Sequence, residues 1–288
     1  SLPVKCNGEN SGKILFNIEN GSPPFTYSGY KLENPSIRFS GQIDELNHNI
    51  SINGVDEGNY VFTIEDTFGN SRIFNTFVSQ PPKLITNSIT SEFNGFQVSC
   101  SGDSDGYFKV IPMGGIPPYT FEHEGFSSTL DSVSNLPSGN YTTKIRDDKG
   151  CQNIITTVLK QPDSLHMTVD FTDPDCSGLN SGIISISQIK GGVPPFLVSI
   201  NEGQMNEQFT FNNLTEGVYR ILLRDKNGCF INQSDSLIAS EIPIISVESN
   251  ELTINLGDSV YLNVMTNLSS QIIDWASGYL VGCKTCLN

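Results

Sequence analysis

The sequence contains few of the residues on which catalysis, metal binding and nucleic-acid recognition usually depend. Of 288 residues only three are histidines and one is tryptophan, and 16 basic residues stand against 31 acidic ones, giving a net charge of -15. Such a charge disfavours nucleic acid and anionic lipid as partners. His48, His123 and His166 lie in unrelated surroundings, and no Ser-His-Asp set, metal-ligand cluster or glycine-rich phosphate loop is readable. The sequence therefore predicts no enzyme, no cofactor and no metal site.

Long apolar runs and helical periodicity are also missing. No stretch reaches membrane-spanning length, and the first residues lack the basic start and apolar run of a signal peptide. Short runs of β-branched and aromatic residues are instead broken by Gly, Pro, Asn and Asp, which is typical of strands and turns. We expect an all-β fragment of something larger, monomeric and without membrane insertion.

Three sets of landmarks recur along the chain in the same order. Each set has a cysteine before a polar turn, a Pro-Pro-aromatic element, a Gly-x-Tyr run and an Asp-x-x-Gly turn, and the Pro-Pro pairs start at positions 23, 117 and 194. A period of roughly 80 to 95 residues suits self-contained domains rather than solenoid units. The predicted boundaries are 1–82, 83–162 and 163–241 for the three repeats, and 242–288 for a different, partial β-domain.

Each repeat is expected to be an immunoglobulin-like or fibronectin III-like sandwich of about seven strands. Alternate residues of 141–147 can face a core while their neighbours face water. The Leu/Val-x-x-Gly-x-Tyr run resembles a tyrosine corner, in which a buried ring keeps its hydroxyl bonded to backbone. Proline-stiffened links favour an extended string of domains. The first copy is expected to lack its opening strand and to carry an inserted polar loop at about 30–53.

The Asp-x-x-Gly elements at Asp66, Asp147 and Asp225 predict hairpin turns. Aspartate at the first position can bond the backbone, and glycine at the fourth adopts positive φ. A turn is favoured over metal binding at all three. The segment from Asp103 to Asp105 resembles the opening of a calcium loop, but it lacks the spacing and the glutamate that such a loop requires.

Four cysteines can be assigned by their place in the repeat. Cys100 with Cys151, and Cys176 with Cys229, occupy matching landmarks, so a disulfide within each of these repeats is the economical interpretation. Disulfides of this kind imply an oxidising, extracytoplasmic location.

The remaining three cysteines are assigned less directly. Cys6 has no mate in its own repeat, because Asn70 occupies the matching position. Cys283 and Cys286 could form a zinc or redox motif, but no second Cys/His pair accompanies them, so a short-range disulfide is favoured.

Aromatic residues of the first copy are the candidates for a ligand-contact surface. They are Tyr27, Tyr30 and Phe39, although Tyr27 is as well placed for the core. A binding module should expose such a cluster, whereas a passive spacer should not.

These landmarks resemble the SprB repeat, a family named from the large surface adhesin of gliding flavobacteria. Gly-Gly-x-Pro-Pro-Tyr/Phe and Asp-x-x-Gly-Cys carry the resemblance over roughly residues 6 to 240, and the tail, with Trp275, is similar to the opening of a PKD-like domain. The resemblance implies type IX secretion, an extracellular or outer-surface location and a role as an adhesion stalk in gliding motility, with a surface polysaccharide or glycan as partner. The alternative is a passive spacer or a carbohydrate-binding accessory region of a multidomain secreted enzyme.

Overall fold

The computed structural model describes residues 1–46, 49–125, 129–175, 180–239, 245–249 and 262–266. All regular secondary structure in these residues is β-strand, so the predicted all-β class is confirmed. The chain divides into two compact units, 1–161 and 162–288. The first unit holds repeats 1 and 2, and the second holds repeat 3 and the tail.

Repeat 1 is a sandwich of two antiparallel sheets. One sheet pairs β1 with β4, and the other has the order β3-β2-β5-β6. The strands are β1 (Gly12–Phe16), β2 (Phe25–Lys31), β3 (Asn34–Ile43), β4 (Ile50–Val55), β5 (Gly58–Glu65) and β6 (Ser71–Val78).

Repeats 2 and 3 each place their first, second and fourth strands in one sheet and the others in a second sheet. The orders are β10-β8-β7 and β12-β11-β9 in repeat 2, and β13-β14-β16 and β15-β17-β18 in repeat 3. This division matches the ABE and CFG sheets of an immunoglobulin-like or fibronectin III-like sandwich, as predicted. The described residues of each repeat form six strands rather than the seven expected. These are β7 (Ile85–Thr90), β8 (Gly106–Met113), β9 (Thr120–His123), β10 (Ser132–Leu136), β11 (Gly139–Arg146), β12 (Gln152–Leu159), β13 (His166–Thr172), β14 (Gly182–Lys190), β15 (Leu197–Ile200), β16 (Thr210–Leu214), β17 (Gly217–Arg224) and β18 (Phe230–Leu237).

The tail contributes one antiparallel pair, β19 (Ile245–Ser249) with β20 (Leu262–Thr266). Trp275, Cys283 and Cys286 lie outside the described residues, so the PKD-like assignment stays a prediction.

The core of each repeat lies between its two sheets. Along β11, Tyr141, Thr143 and Ile145 are buried while their neighbours are more exposed, which is the alternation predicted from the sequence. Ile145 packs with Phe108 of the facing sheet, and both are completely buried. Burying such side chains supplies the main stabilisation of each sandwich.

The predicted tyrosine corner is present in all three repeats. The hydroxyl of Tyr141 donates to the Pro137 carbonyl at 2.6 Å, and that of Tyr219 donates to the Thr215 carbonyl at 3.0 Å. Tyr60 makes the equivalent bond four residues back in repeat 1. Each ring is buried, and its one polar atom is thereby satisfied.

The insertion expected as a polar loop at about 30–53 is mostly β-structure, so that prediction is wrong. It forms the end of β2, all of β3 and the start of β4. Phe39 lies opposite Gly29 and Ile43 opposite Phe25, so β3 extends the larger sheet by one strand. Ile37, Phe39 and Ile43 alternate with polar residues, which is the pattern of a half-buried strand.

Repeat 1 also differs at its open edge. In repeats 2 and 3 the first strands, β7 and β13, pair with β8 and β14. Among the described residues of repeat 1, only an isolated bridge between Leu2 and Lys13 lies on this side of β1.

Candidate functional site

A disulfide joins repeat 1 to repeat 2. Cys6 and Cys151 form it, with their Cα atoms 5.6 Å apart and 145 residues between them in sequence. The predicted pair Cys100–Cys151 is therefore wrong. Cys6 has no mate in its own repeat, as expected, because its mate lies in the next one.

The length of β12 explains the error. Cys151 immediately precedes the first residue of this eight-residue strand. The turn after Cys100 lies near the last residue of the strand, because Gly102 N donates to Gln161 Oε1 at 3.0 Å. At about 3.3 Å per residue the two ends of β12 are roughly 26 Å apart. A disulfide requires Cα atoms within about 7 Å.

Cys100 and Cys229 are also disulfide-bonded. Cys176, the predicted mate of Cys229, lies outside the described residues, so that pairing stays a prediction.

The turn after Cys6 also binds the link between the first two repeats. Asn7 Nδ2 donates to the Pro81 carbonyl at 3.0 Å, and Gly8 N donates to Gln80 Oε1 at 2.8 Å. Repeat 2 repeats this contact at its own exit, between Gly102 and Gln161. The glutamine before each proline link is therefore hydrogen-bonded to a turn of its own repeat.

The Asp-x-x-Gly elements are hairpin turns, as predicted. Asp147 is 4% exposed, and its carboxylate accepts from the backbone N–H groups of Ile116 at 2.9 Å and Cys151 at 2.8 Å. Asp225 does the same with Val193 and Cys229 in repeat 3. Each carboxylate thus ties the loop before the Pro-Pro pair to the hairpin, an arrangement we call the aspartate clasp.

The clasp is altered in repeat 1. Asp66 accepts from the backbone of Phe68 and from the backbone and side chain of Asn70, all within its own turn. These bonds, that from the Asn70 side chain above all, hold the pKa of Asp66 below its ordinary value. The backbone bond between the two loops is kept in all three repeats: the N–H of Thr67 donates to the Ser22 carbonyl at 3.2 Å, as that of Asp148 does to Ile116 and that of Lys226 to Val193.

A cleft of about 620 Å³ opens beside this altered turn. Its walls are the segment 16–21 that follows β1, the side chain of Asp66 and the beginning of β6, including Arg72 and Phe74. Phe16 and Phe74 line the apolar part, with ring centroids 5.2 Å apart.

The predicted aromatic surface of repeat 1 is not formed as one exposed cluster. Tyr27 faces the core and lies 5.7 Å from the ring of Phe16, and Phe39 lies 5.9 Å from the ring of buried Tyr60. Tyr30 points to the opposite face of the sheet, since residues 27 and 30 are an odd number of positions apart on β2.

The histidines are not brought together. His123 is buried, with Nδ1 2.9 Å from Thr143 Oγ1 and Nε2 2.7 Å from the Leu130 carbonyl, so it serves the core of repeat 2. His166 is exposed beside the Ser164 carbonyl, and His48 lies outside the described residues. Within the described part of the chain, no group of three or more His, Cys, Asp or Glu could hold a metal ion.

An inward-facing lysine in repeat 1 escaped the sequence analysis. Lys31 is buried, and its Nζ lies 2.6 Å from Asp56 Oδ2, while the Tyr60 hydroxyl donates to Asp56 Oδ1 at 2.7 Å. The bond from Lys31 lowers the pKa of Asp56, and burial beside Asp56 raises the pKa of Tyr60. The signal available in the sequence was the spacing on β2: Lys31 lies four residues after Tyr27, an even number, so both side chains lie on the same face of the strand.

Comparisons with solved structures return tandem domains of animal and bacterial surface proteins. The chain is 13% identical to the N-terminal eight Ig domains of Down syndrome cell adhesion molecule (TM-score 0.30), covering 90% of this chain and 42% of that one. It is 12% identical to invasin, a bacterial integrin-binding protein (TM-score 0.31), covering 91% and 65%. Extracellular domains 3–5 of Drosophila OTK are 13% identical (TM-score 0.27), covering 80% and 92%.

No helix in the described residues is long and apolar enough to cross a membrane.

Two further comparisons bear on the family of this chain. The search of curated proteins gives no significant match. The family model described as "SprB repeat" matches residues 2–28, from the bridge at Leu2 to the middle of β2. The SprB resemblance seen in the sequence is therefore confirmed, at this segment of the first repeat.

Proposed function

We propose that this chain is a non-catalytic, adhesin-type repeat region of an extracellular bacterial protein. The observation that carries the proposal is the Cys6–Cys151 bridge, which links the first repeat, matched by the SprB repeat model over residues 2–28, to the second repeat. Persistent structural disulfides form in oxidising compartments, so such a bridge favours a position outside the cytoplasm. Buried polar groups such as Asp147 and Tyr141 hydrogen-bond to the backbone of the sandwich, which is a structural role.

The region acts as a tether that positions adhesive parts of its parent protein at the outer cell surface. Repetition with short, hydrogen-bonded links supports this role, because each repeat adds reach and any weak affinity is multiplied by copy number. Surface polysaccharide is the partner we propose for the parent. Export by the type IX machinery and a role in gliding motility belong to the same proposal, through the SprB resemblance.

Surface display and adhesion test the proposal in the parent protein. On intact cells, this region should be accessible to an impermeant amine label and to added protease. Deleting it should reduce attachment to a polysaccharide-coated surface while leaving the amount of exported protein unchanged. A region found only inside the cells would overturn the proposal.

A substitution experiment separates an adhesive region from a passive spacer. The region is replaced by three unrelated immunoglobulin-like domains of similar length, and attachment is measured again. Full recovery would mean that only reach matters, which is the spacer function. Loss of attachment at equal surface display would show that the SprB-type repeats themselves contribute contacts.

A further inference from the structure

The larger sheet of repeat 1 presents an outer surface that is four strands wide. Its fourth strand is β3, whereas the corresponding sheets of repeats 2 and 3 have three strands. Side chains on this surface come from the positions that alternate with the core residues. Tyr30 lies between Arg38 on β3 and Val61 on β5, and Thr63 lies opposite Ile73 on β6. We call the outward side chains of β2, β3, β5 and β6 the broad face.

The broad face exposes large apolar side chains. Ile73 is 64% exposed and Phe77 is 51% exposed. Ile154 and Val158 occupy the matching positions on β12 and are 62% and 46% exposed, although repeat 2 has its covering strand β7 in place. A covering strand on the smaller sheet therefore leaves this side of the sandwich open. Contiguous exposed apolar side chains are typical of interaction sites.

The composition of the broad face favours a protein as its partner. Aromatic residues and arginine are enriched where proteins meet, and Tyr30, Phe77 and Arg38 supply them here. Ile73 and Val61 add aliphatic surface beside the rings. Such aliphatic side chains suit a protein surface, since they offer no hydrogen bonds to the hydroxyl groups of a sugar.

The charges of the broad face suit a second copy of this chain. Within the described strands, its outward positions carry one cation, Arg38, and one anion, Glu65, and these residues form no ion pair in the described structure. Glu33 at the rim is already bonded to the backbone and side chain of Asn59. The chain as a whole has a net charge of -15, so two copies repel each other least where their surfaces are neutral.

The area of the broad face suits a weak contact. Strands β5 and β6 have eight residues each. Four strands about 4.8 Å apart, with about 3.3 Å for each residue, give roughly 500 Å² for one copy. Two copies would bury about 1,000 Å², which is less than the roughly 1,200 Å² of a stable specific interface. The chain would then be a monomer in dilute solution, as the sequence predicts, and would pair only when copies are concentrated.

We propose that the broad face binds the broad face of a second copy of this chain, with Arg38 of each copy beside Glu65 of the other. A two-fold axis makes both ion pairs at once, because the two surfaces are identical. The sheets would stack about 10 Å apart, as sheets do inside a sandwich. This contact goes beyond the proposed function, because it joins two copies of the parent protein rather than the parent and a polysaccharide.

Analytical ultracentrifugation of the whole chain, at concentrations up to about 1 mM, tests the proposal. The average mass should rise with concentration towards that of a dimer. Ile73→Glu should raise the dissociation constant at least tenfold, because a carboxylate would be buried against apolar side chains. Ile154→Glu is the matched control, since it places the same charge at the same position of a three-stranded sheet, and it should pair as the unmodified chain does. Circular dichroism should be the same for both variants.

Exchanging the two charges identifies the partner as a second copy. Arg38→Glu alone and Glu65→Arg alone should each weaken pairing severalfold, because like charges would then face each other. The double variant should restore pairing. The two single variants change the net charge in opposite directions, so a general effect of charge would not weaken both.

Three results would overturn the proposal. They are a monomer at every concentration, equal weakening by Ile73→Glu and Ile154→Glu, and a double variant that pairs no better than the single ones. Binding of soluble dextran by a monomer, lost in Ile73→Glu, would assign the broad face to a polysaccharide instead. Surface display and attachment of the parent protein are measured separately, so failure of this contact would leave the proposed function standing.

Discussion

Removing the aspartate clasp of repeat 2 should destabilise that repeat far more than removing any surface carboxylate. The Asp147→Ala variant removes the carboxylate that accepts from the N–H of Ile116 at 2.9 Å and from the N–H of Cys151 at 2.8 Å. Asp147 is only 4% exposed, so both N–H groups lose a buried acceptor. Hydrogen bonds to a charged partner contribute about 1.5 to 3 kcal/mol each. Allowing for water that enters the vacated space, we expect a loss of about 3 to 5 kcal/mol from the free energy of unfolding of repeat 2.

Urea denaturation and hydrogen exchange together measure this loss. Exchange at the amides of Ile116 and Cys151 should accelerate at least a hundredfold, since about 1.4 kcal/mol corresponds to a factor of ten. Asp131→Ala is the matched control, because it removes the same charge from the same repeat but breaks only an exposed ion pair with Lys109, 3.2 Å long. That variant should lose about 1 kcal/mol or less.

Repeat 1 supplies a second comparison. Asp66→Ala should have a smaller effect than Asp147→Ala, because the bonds that the Asp66 carboxylate accepts from Phe68 and Asn70 lie in an exposed turn. If Asp147→Ala and Asp131→Ala destabilise the protein equally, the clasp does not stabilise repeat 2 and the reasoning fails.

Further predictions concern the bridge, the tyrosine corner and the Lys31–Asp56 ion pair. Non-reducing peptide mapping should recover Cys6 linked to Cys151, and a different mate for Cys151 would contradict the structure. Closing a loop of this length should stabilise repeats 1 and 2 by up to about 5 kcal/mol, so the Cys6→Ser variant should unfold at a lower urea concentration. The Tyr141→Phe variant should lose about 1 to 2 kcal/mol from its free energy of unfolding in urea, because the Pro137 carbonyl loses its donor. An unchanged urea midpoint would count against the tyrosine corner. Because the pKa of Asp56 is lowered on folding, its stabilising contribution should be complete above about pH 4 and be lost as the pH falls through the folded-state pKa. The stability difference between the unmodified protein and Lys31→Met should therefore shrink on acidification, and a constant difference from pH 6 to pH 2 would refute the assignment.

Local patterns in the sequence were sufficient for the strands and turns. Tyr141 and its alternating neighbours fix which face of β11 is buried, and Asp147 with Gly150 fixes the hairpin, because these preferences act over a few residues. The β3 insertion could have been predicted by the same alternation at Phe39 and Ile43, which was outweighed by its polar neighbours.

Contacts between distant segments could not be predicted in this way. Matching landmarks placed Cys100 and Cys151 in one repeat, but pairing depends on which end of the sandwich each cysteine occupies, and that follows from strand direction. Lys31 was missed because an inward lysine is recognised only once Asp56 is known to lie beside it.

The Cys6–Cys151 bridge has a mechanical consequence for a protein that is pulled from its ends. Tension that enters before Cys6 and leaves after Cys151 can pass through the covalent bond between them, which bypasses the backbone of the 145-residue interval. Fully drawn out, an interval of that size would add roughly 500 Å of contour length. While the bridge is oxidised, the distance between Cys6 and Cys151 cannot be extended by force, so the redox state of this bond decides whether the interval between them can be drawn out.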